Sequence, residues 1–339
     1  MKSFISEDFE LLEYTGAANR ATFKCKKCDT DFSHFPSSMY RGAGCPHCDN
    51  IPSRSKSELE MYEFIKSFYP NAKNNIRFKN DDGNVLELDI YIEELNLGIE
   101  FDGLYWHSDK VKGADAMYQK QLFFEKFGIR VIHIFEDEWE NKKENVKKYL
   151  QHIIKKDDVE KISARKCTFS TILRDTAIDF LNQNSLIIYD DSDIFIGAFY
   201  NSELVAVMSF RTLSKKSNKF YLKSFATSKM IHGIFKKFID HFISEYSAKH
   251  IIAKIDLRFS SDENNVLKNN GFVFLKREDP DFYYCSGTKR YPEKHFSKTS
   301  IKHLYPEIFN ESLTAYEMME NTPYFRVYNC GKVVYEMKL

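Results

Sequence analysis

The sequence predicts a mixed α/β fold in three parts, and three observations carry that reading. Two CxxC pairs crowd into the first 50 residues, Cys25/Cys28 and Cys45/Cys48. From residue 56 onward, runs with period-two alternation are interleaved with stretches of helical period. After about residue 160 the order becomes hairpin, strand, helix, strand. A chain of 339 residues has room for about two or three domains. Its 43% hydrophobic and 29% charged composition, with mean hydropathy −0.47, belongs to a globular protein and excludes disordered and fibrous classes. No apolar run is long enough to span a bilayer, and MKSFISEDFE lacks the apolar stretch of a signal peptide, so a cytoplasmic location is expected.

Lys+Arg and Asp+Glu both total 49, so net charge alone gives no partner. The distribution is uneven: residues 1–55 balance, 56–157 carry 16 basic and 20 acidic residues, and 158–339 carry 26 and 22. An acidic middle beside a basic C-terminal part suits a metal-dependent site flanked by an anion-binding surface. The remaining cysteines, Cys167, Cys285 and Cys330, are scattered, and an odd total of seven favours bound metal over disulfides.

Residues 1–55 are expected to form a zinc-ribbon-like module. Each CxxC places two thiolates on one turn, and the 16 residues between Cys28 and Cys45 let two such turns meet around one tetrahedral zinc. Gly42 and Gly44 supply freedom at the second turn, and Pro46 stiffens it. A module this small should depend on structural zinc. Its Phe23, Lys24, Lys26, Lys27, Phe32, Phe35, Tyr40 and Arg41 read equally as a nucleic-acid surface or as core.

Residues 56–157 follow a polar linker, IPSRSKS. SELEMYEFIKSFYP has helical spacing until Pro70, then come a strand near NIRFK, a DDGN turn, and strands VLELDIYI (85–92) and LNLGIEFDG (95–103) paired as a hairpin. A helix over 114–127 precedes GIRVIHIFEDEW (128–139), a buried strand running into a helix. Alternation puts Asp89 on one strand and Glu100 and Asp102 on the next upon a common face. Carboxylates so close repel, and a hard divalent cation such as Mg²⁺ relieves them, with Glu100 or Asp102 as the partner of Asp89. His107 stands just beyond, placed to act as a general base or acid.

The order of Glu58 on a helix, Asp89 on a strand, EFDGLYWHS, Lys120 on a helix and GIRVIHIFEDEW resembles the very short patch repair (Vsr) branch of the PD-(D/E)XK nucleases. Within it the similarity is greatest to the phage and intron-associated homing endonucleases called EDxHD enzymes. The resemblance implies that Asp89 binds Mg²⁺, that His107 and Glu58 are catalytic, and that the protein cuts double-stranded DNA. The repair enzyme has a histidine where this chain has Asp102, which makes Asp102 a second candidate ligand. The lysine usual two residues beyond the glutamate is absent, and Lys120 is the candidate to replace it. A Lys-, Asn-, Phe- and Tyr-rich composition fits a phage genome.

Residues 158–339 resemble the GNAT fold of N-acetyltransferases, from the hairpin at Asn201-Ser202 through FYLKSFATS, the helix 233–246, the strand HIIAKIDLR and NNGFVF. The turn that cradles coenzyme A in that fold is here Ser228 to Gly233, with one glycine and bulky Ile231 and His232, so acetyl-coenzyme A is not expected. The arrangement is similar to the tails of phage endonucleases, which implies a DNA-holding role. The candidate phosphate contacts are Lys26, Lys27, Arg41, Arg165, Lys166, Arg211, Lys215, Lys216, Lys219 and Arg258. The expected function is therefore a site-specific Mg²⁺-dependent DNA endonuclease. The rivals are a mismatch-type repair nickase and a catalytically inactive DNA-binding or anti-defence protein.

Overall fold

A computed structural model describes residues 8–16, 19–26, 28–40, 43–46, 56–154, 162–186, 191–260, 265–320 and 322–339. The chain divides into two compact units, Met1–Met61 and Tyr62–Leu339.

In the first unit, β1 (Phe9–Glu13), β2 (Ala21–Cys25) and β3 (Asp31–His34) form an antiparallel meander followed by α1 (Pro36–Tyr40). The alternation in ATFKC turns Ala21, Phe23 and Cys25 inward, where they meet Phe32, Met39 and Cys45. Phe23 and Phe32 are therefore core, with ring centroids 5.7 Å apart. Phe35 is exposed, with the Arg20 guanidinium 5.2 Å above its ring. The division between the units falls inside α2 (Lys56–Phe68).

The second unit contains two main sheets. The first is built from β4 (Lys73–Lys79), β5 (Val85–Ile92), β6 (Leu97–Asp102) and β7 (Arg130–Phe135), in that order. β4, β5 and β6 are antiparallel, whereas β7 lies parallel to β6 through the crossover helix α3 (Ala116–Glu125). All six residues of β6 are buried, as befits a strand covered on both faces. Gly98 is required there, because a Cβ would stand 2.8 Å from Leu88 Cδ2. Helices α4 (Glu136–Asn141) and α5 (Lys143–Ile154) follow β7 and bury Trp139, Val146 and Leu150.

The second sheet begins after β8 (Ile162–Ser163) with β9 (Thr168–Thr171), α6 (Arg174–Asn184), β10 (Ile194–Tyr200), β11 (Glu203–Ser214) and β12 (Lys219–Thr227). It continues through β13 (Ile231–His232), α7 (Ile234–Tyr246), β14 (His250–Asp256) and β15 (Val273–Glu278). A smaller three-stranded sheet follows, with β16 (Phe282–Ser286), β17 (Lys289–Pro292), α8 (Lys298–Leu304), α9 (Ala315–Glu320) and β18 (Phe325–Tyr328). The final strand β19 (Lys332–Lys338) inserts between β14 and β15, giving a seven-stranded order β15-β19-β14-β12-β11-β10-β9. Every neighbouring pair is antiparallel except β12 and β14, which run parallel. The expected Asn201-Ser202 hairpin is present, with both residues at positive φ (50° and 65°). α7 presents Phe238 and Phe242 to the sheet, and Phe242 stacks on Phe210 at 3.6 Å.

The two sheets of this unit share a core. Leu104, Met117 and Phe135 from the first lie in one apolar cluster with Ile196, Phe238 and Ile251 from the second. Gln121 Nε2 donates to the Leu257 carbonyl at 2.9 Å, and the His133 amide donates to the Arg258 carbonyl at 3.1 Å. Around that seam Arg258 contacts Glu138 at 3.0 Å and Asp256 at 3.3 Å, and Arg290 contacts Asp137 at 2.6 Å and Glu138 at 2.8 Å. Both guanidiniums lie over the Phe135 ring, at 4.6 and 4.0 Å. This corrects one expectation directly. Arg258 is 1% exposed and fully engaged by carboxylates, so it is an internal tie and no phosphate contact. Among the described residues, no helix is long and apolar enough to cross a membrane.

Candidate functional site

The chemistry-bearing residues gather where β5 and β6 part. Their ladder ends at Ile90↔Ile99, and one residue further the main chain is answered by side chains. The Asp89 amide donates to Glu100 Oε1 at 3.3 Å, and the Phe101 amide donates to Asp89 Oδ2 at 2.8 Å. Asp89 is partly buried and Glu100 is buried. Lys120, reaching over from α3, forms an ion pair with Glu100 Oε2. Burial raises the Asp89 carboxyl above its ordinary range and, reinforced by Asp89, pushes Glu100 well above its own. Burial would lower the Lys120 ammonium, but Glu100 and Asp89 outweigh it and raise it.

Asp102 shares the strand face but has other partners. Its Oδ1 lies 2.9 Å from His107 Nδ1 and its Oδ2 lies 2.9 Å from His133 Nδ1. Burial alone would raise this carboxyl, yet His133 and His107 overcome that and hold it well below the usual range. Of the two candidates left open as partner for Asp89, the structure puts Glu100 against it and turns Asp102 to the imidazoles. His133 was missing from the sequence reading. Its signal was the one polar residue in the buried run VIHIF (131–135), and β7 is parallel to β6 with His133 registered against Glu100.

The loop after β6 is held firmly. The Leu104 amide donates to Glu136 Oε2 and the His107 amide to the Gly103 carbonyl, both at 3.0 Å. Ser108 bridges to Val327, and Asp109 pairs with Arg326 at 2.7 Å. Tyr105 and Trp106 project outward, 53% and 64% exposed, while His107 is turned in to Asp102. Glu58 lies in the first turn of α2, in the other unit.

In the N-terminal unit the sulfurs of Cys25, Cys28 and Cys45 lie within 4.8 Å of one another, and Cys28 Sγ is 3.6 Å from Cys45 Sγ. That is far beyond a disulfide bond and close to the ~3.8 Å between sulfurs about 2.3 Å from a tetrahedral zinc. Cys48, Lys27 and Arg41 lie outside the described residues. The other expected phosphate contacts are dispersed over separate elements. Arg165 and Lys166 lie on the short helical turn Ala164–Lys166, Arg211 is paired with Asp191 at 2.7 Å, and Lys215 and Lys216 are exposed at the β11–β12 tip with Lys219 at the start of β12. Lys26 follows β2.

No family model and no curated protein matches the chain. Solved structures do. A GNAT family acetyltransferase from Elizabethkingia anophelis with acetyl-CoA bound is 13% identical, covering 51% of this chain and 99% of its own with TM-score 0.30. The IAA acetyltransferase from Bacillus cereus gives 11%, 51%, 99% and 0.30, and the ribosomal-protein-S18-alanine N-acetyltransferase from Escherichia coli 8%, 51%, 93% and 0.30. These neighbours are acetyltransferases, and they correct the expected membership of the Vsr-like PD-(D/E)XK nucleases. The endonuclease, phosphodiester hydrolase, phage homing enzyme, repair nickase and double-stranded DNA partner are withdrawn with it. The expectation that acetyl-coenzyme A has no place is withdrawn too, since neighbours of this fold were solved with acetyl-CoA or CoA. At such identities and TM-scores the likeness is carried no further, and the chain has a mixed α/β fold.

Proposed function

We propose that the cluster at the parting of β5 and β6 is the centre of an enzyme that works by metal-assisted acid–base chemistry. The supporting observation is its charge balance. Among the described residues Asp89, Glu100 and Asp102 converge with Lys120 as the one fixed cation, so the buried site is short of positive charge. Two hard oxygen donors, Asp89 and Glu100, fit a hydrated Mg²⁺. When bound, Mg²⁺ supplies Lewis acidity to coordinated water. Lys120 orients and partly neutralises Glu100. Asp102 Oδ1 stands 2.9 Å from His107 Nδ1, and His107 is the group placed to take or give a proton. Calorimetric titration of Mg²⁺ into the wild-type protein, Asp89→Asn and Glu100→Gln tests the centre. Saturable binding in the wild type and its loss in both variants is expected, and equal heats in all three would refute it.

We also propose that Cys25, Cys28 and Cys45, completed by Cys48, hold a structural zinc, supported by the spacing of the three described sulfurs. Metal analysis of the purified chain should find one zinc per molecule, lost on Cys25→Ser.

A second reading, acyl transfer from acetyl-coenzyme A, is favoured by one feature of the larger sheet. The parallel pairing of β12 and β14 runs from Lys219↔His250 to Leu222↔Ala253 and stops, while β12 continues to Thr227. The turn before α7 is meanwhile engaged by β8, with the Ile162 amide donating to the Met230 carbonyl at 3.1 Å. A pyrophosphate at that helix start would require β8 to move. Titration with acetyl-coenzyme A decides: binding heat supports this reading, and none at millimolar ligand removes it.

A further inference from the structure

A second set of polar side chains outside the carboxylate centre lacks bonding partners, and it lines a cavity. The loop beyond His107, strands β16 and β18 and the end of α9 enclose a space of about 240 Å³. That lies below the roughly 300–1,000 Å³ of pockets that take drug-sized ligands, so the space suits a small molecule. Tyr284 lines it and is 3% exposed, yet its hydroxyl makes no hydrogen bond among the described residues. Burial pushes this phenol up to about 12 against the pull of Arg326, so it stands as a donor. A buried hydroxyl without a partner is costly, and a ligand oxygen in the cavity removes that cost.

Arg326 also lines the cavity. Its Nε donates to Asp109 Oδ2 at 2.7 Å and its guanidinium lies 4.0 Å from the centre of the Tyr316 ring, which fixes the fork, while its terminal nitrogens donate to no described residue. Lys110 and Glu320 are exposed at the cavity, and neither forms an ion pair among the described residues. Asp109 balances Arg326, so the unanswered charges are one ammonium and one carboxylate. Buried Met319 and the ring of Tyr324 supply an apolar part of the lining.

We propose that this cavity binds a free α-amino acid with an apolar side chain. The ligand carboxylate accepts from the Tyr284 hydroxyl and the Arg326 terminal nitrogens and is attracted by Lys110, the ligand ammonium pairs with Glu320, and the side chain meets Met319 and Tyr324. A ligand of both signs answers both free charges, whereas a simple anion leaves Glu320 and a simple cation leaves Lys110 without a partner. Neither the metal nor the acid–base reading enters this proposal.

Calorimetry and saturation-transfer NMR on the full chain test it with l-leucine, and with isocaproate and isoamylamine, which lack its ammonium and its carboxylate respectively. Saturable binding of l-leucine is expected, about tenfold or more tighter than isoamylamine and several-fold tighter than isocaproate. Tyr284→Phe, which removes only the hydroxyl, should weaken l-leucine by about tenfold. Lys110→Gln and Glu320→Gln, at exposed positions, should each weaken it several-fold while thermal unfolding stays that of the wild type. No saturable binding of l-leucine at about 20 mM would overturn the proposal, and so would either analogue binding as tightly as l-leucine. Unchanged l-leucine binding in both Lys110→Gln and Glu320→Gln would also overturn it, whether or not Tyr284→Phe folds.

Discussion

Asp89, Glu100 and Asp102 lie on neighbouring positions of one hairpin, yet their surroundings push them in opposite directions. Asp89 and Glu100 sit above the ordinary carboxylate range, so the folded, cation-free protein holds protons that the unfolded chain would release. Their contribution to stability is full below about pH 4 and declines as pH rises through the raised values. Asp102 sits below that range, and its contribution is present above about pH 4 and lost as pH falls further. The windows do not overlap. Thermal unfolding across pH, with and without Mg²⁺, should therefore show a stabilisation by the cation that grows as pH rises from about 4, since cation and proton compete for the same oxygens. A Mg²⁺ effect independent of pH would contradict the assignment of ligands. These three carboxylates were legible from alternation alone, and so was His107 directly behind them. His133 was not, because a single polar residue in a buried run reads as a satisfied core histidine until the parallel register of β7 with β6 is known.

At the scale of elements, most strands and helices announced themselves through period and turn chemistry. What escaped were the pieces whose partners are distant in sequence. Ile162-Ser163 pairs with Ile231-His232, and β19 enters between β14 and β15 from the end of the chain. Neither has a local signal. Arg258 misled for the same reason: a basic residue at a strand end looks like surface, and only the approach of Glu138, 120 positions away, shows it buried. Removing it takes the guanidinium from Asp256 and leaves Glu138 to Arg290 alone, so Arg258→Ala should cost about 3–5 kcal/mol in chemical denaturation. A loss under about 1 kcal/mol would mean the network is not coupled to folding. The turn between β18 and β19 is equally specific. Gly331 has φ 80°, and a Cβ would fall 2.5 Å from the Glu278 carbonyl. Gly331→Ala should lower stability by more than the roughly 1–2 kcal/mol of a left-handed L-residue, read from the same denaturation curves.

For the whole molecule, the two compact units make separable demands. Among the described residues the N-terminal unit buries few apolar side chains around Phe23 and Phe32, so its fold should depend on the zinc proposed for its cysteines. Chelation of the full chain is expected to open residues 1–61 to limited proteolysis while 62–339, with its shared core, resists. Equal protection before and after chelation would count against structural zinc. The carboxylate centre belongs to the four-stranded sheet of the second unit, and a fold by itself gives no chemistry. This centre is expected to bind a divalent cation, and Mn²⁺ makes that visible. An anomalous difference map of crystals grown with Mn²⁺ should show a peak about 2.0–2.3 Å from carboxylate oxygens of both Asp89 and Glu100, absent in Asp89→Asn. Density for Lys120 on Glu100 with no anomalous peak between the two carboxylates would contradict the account.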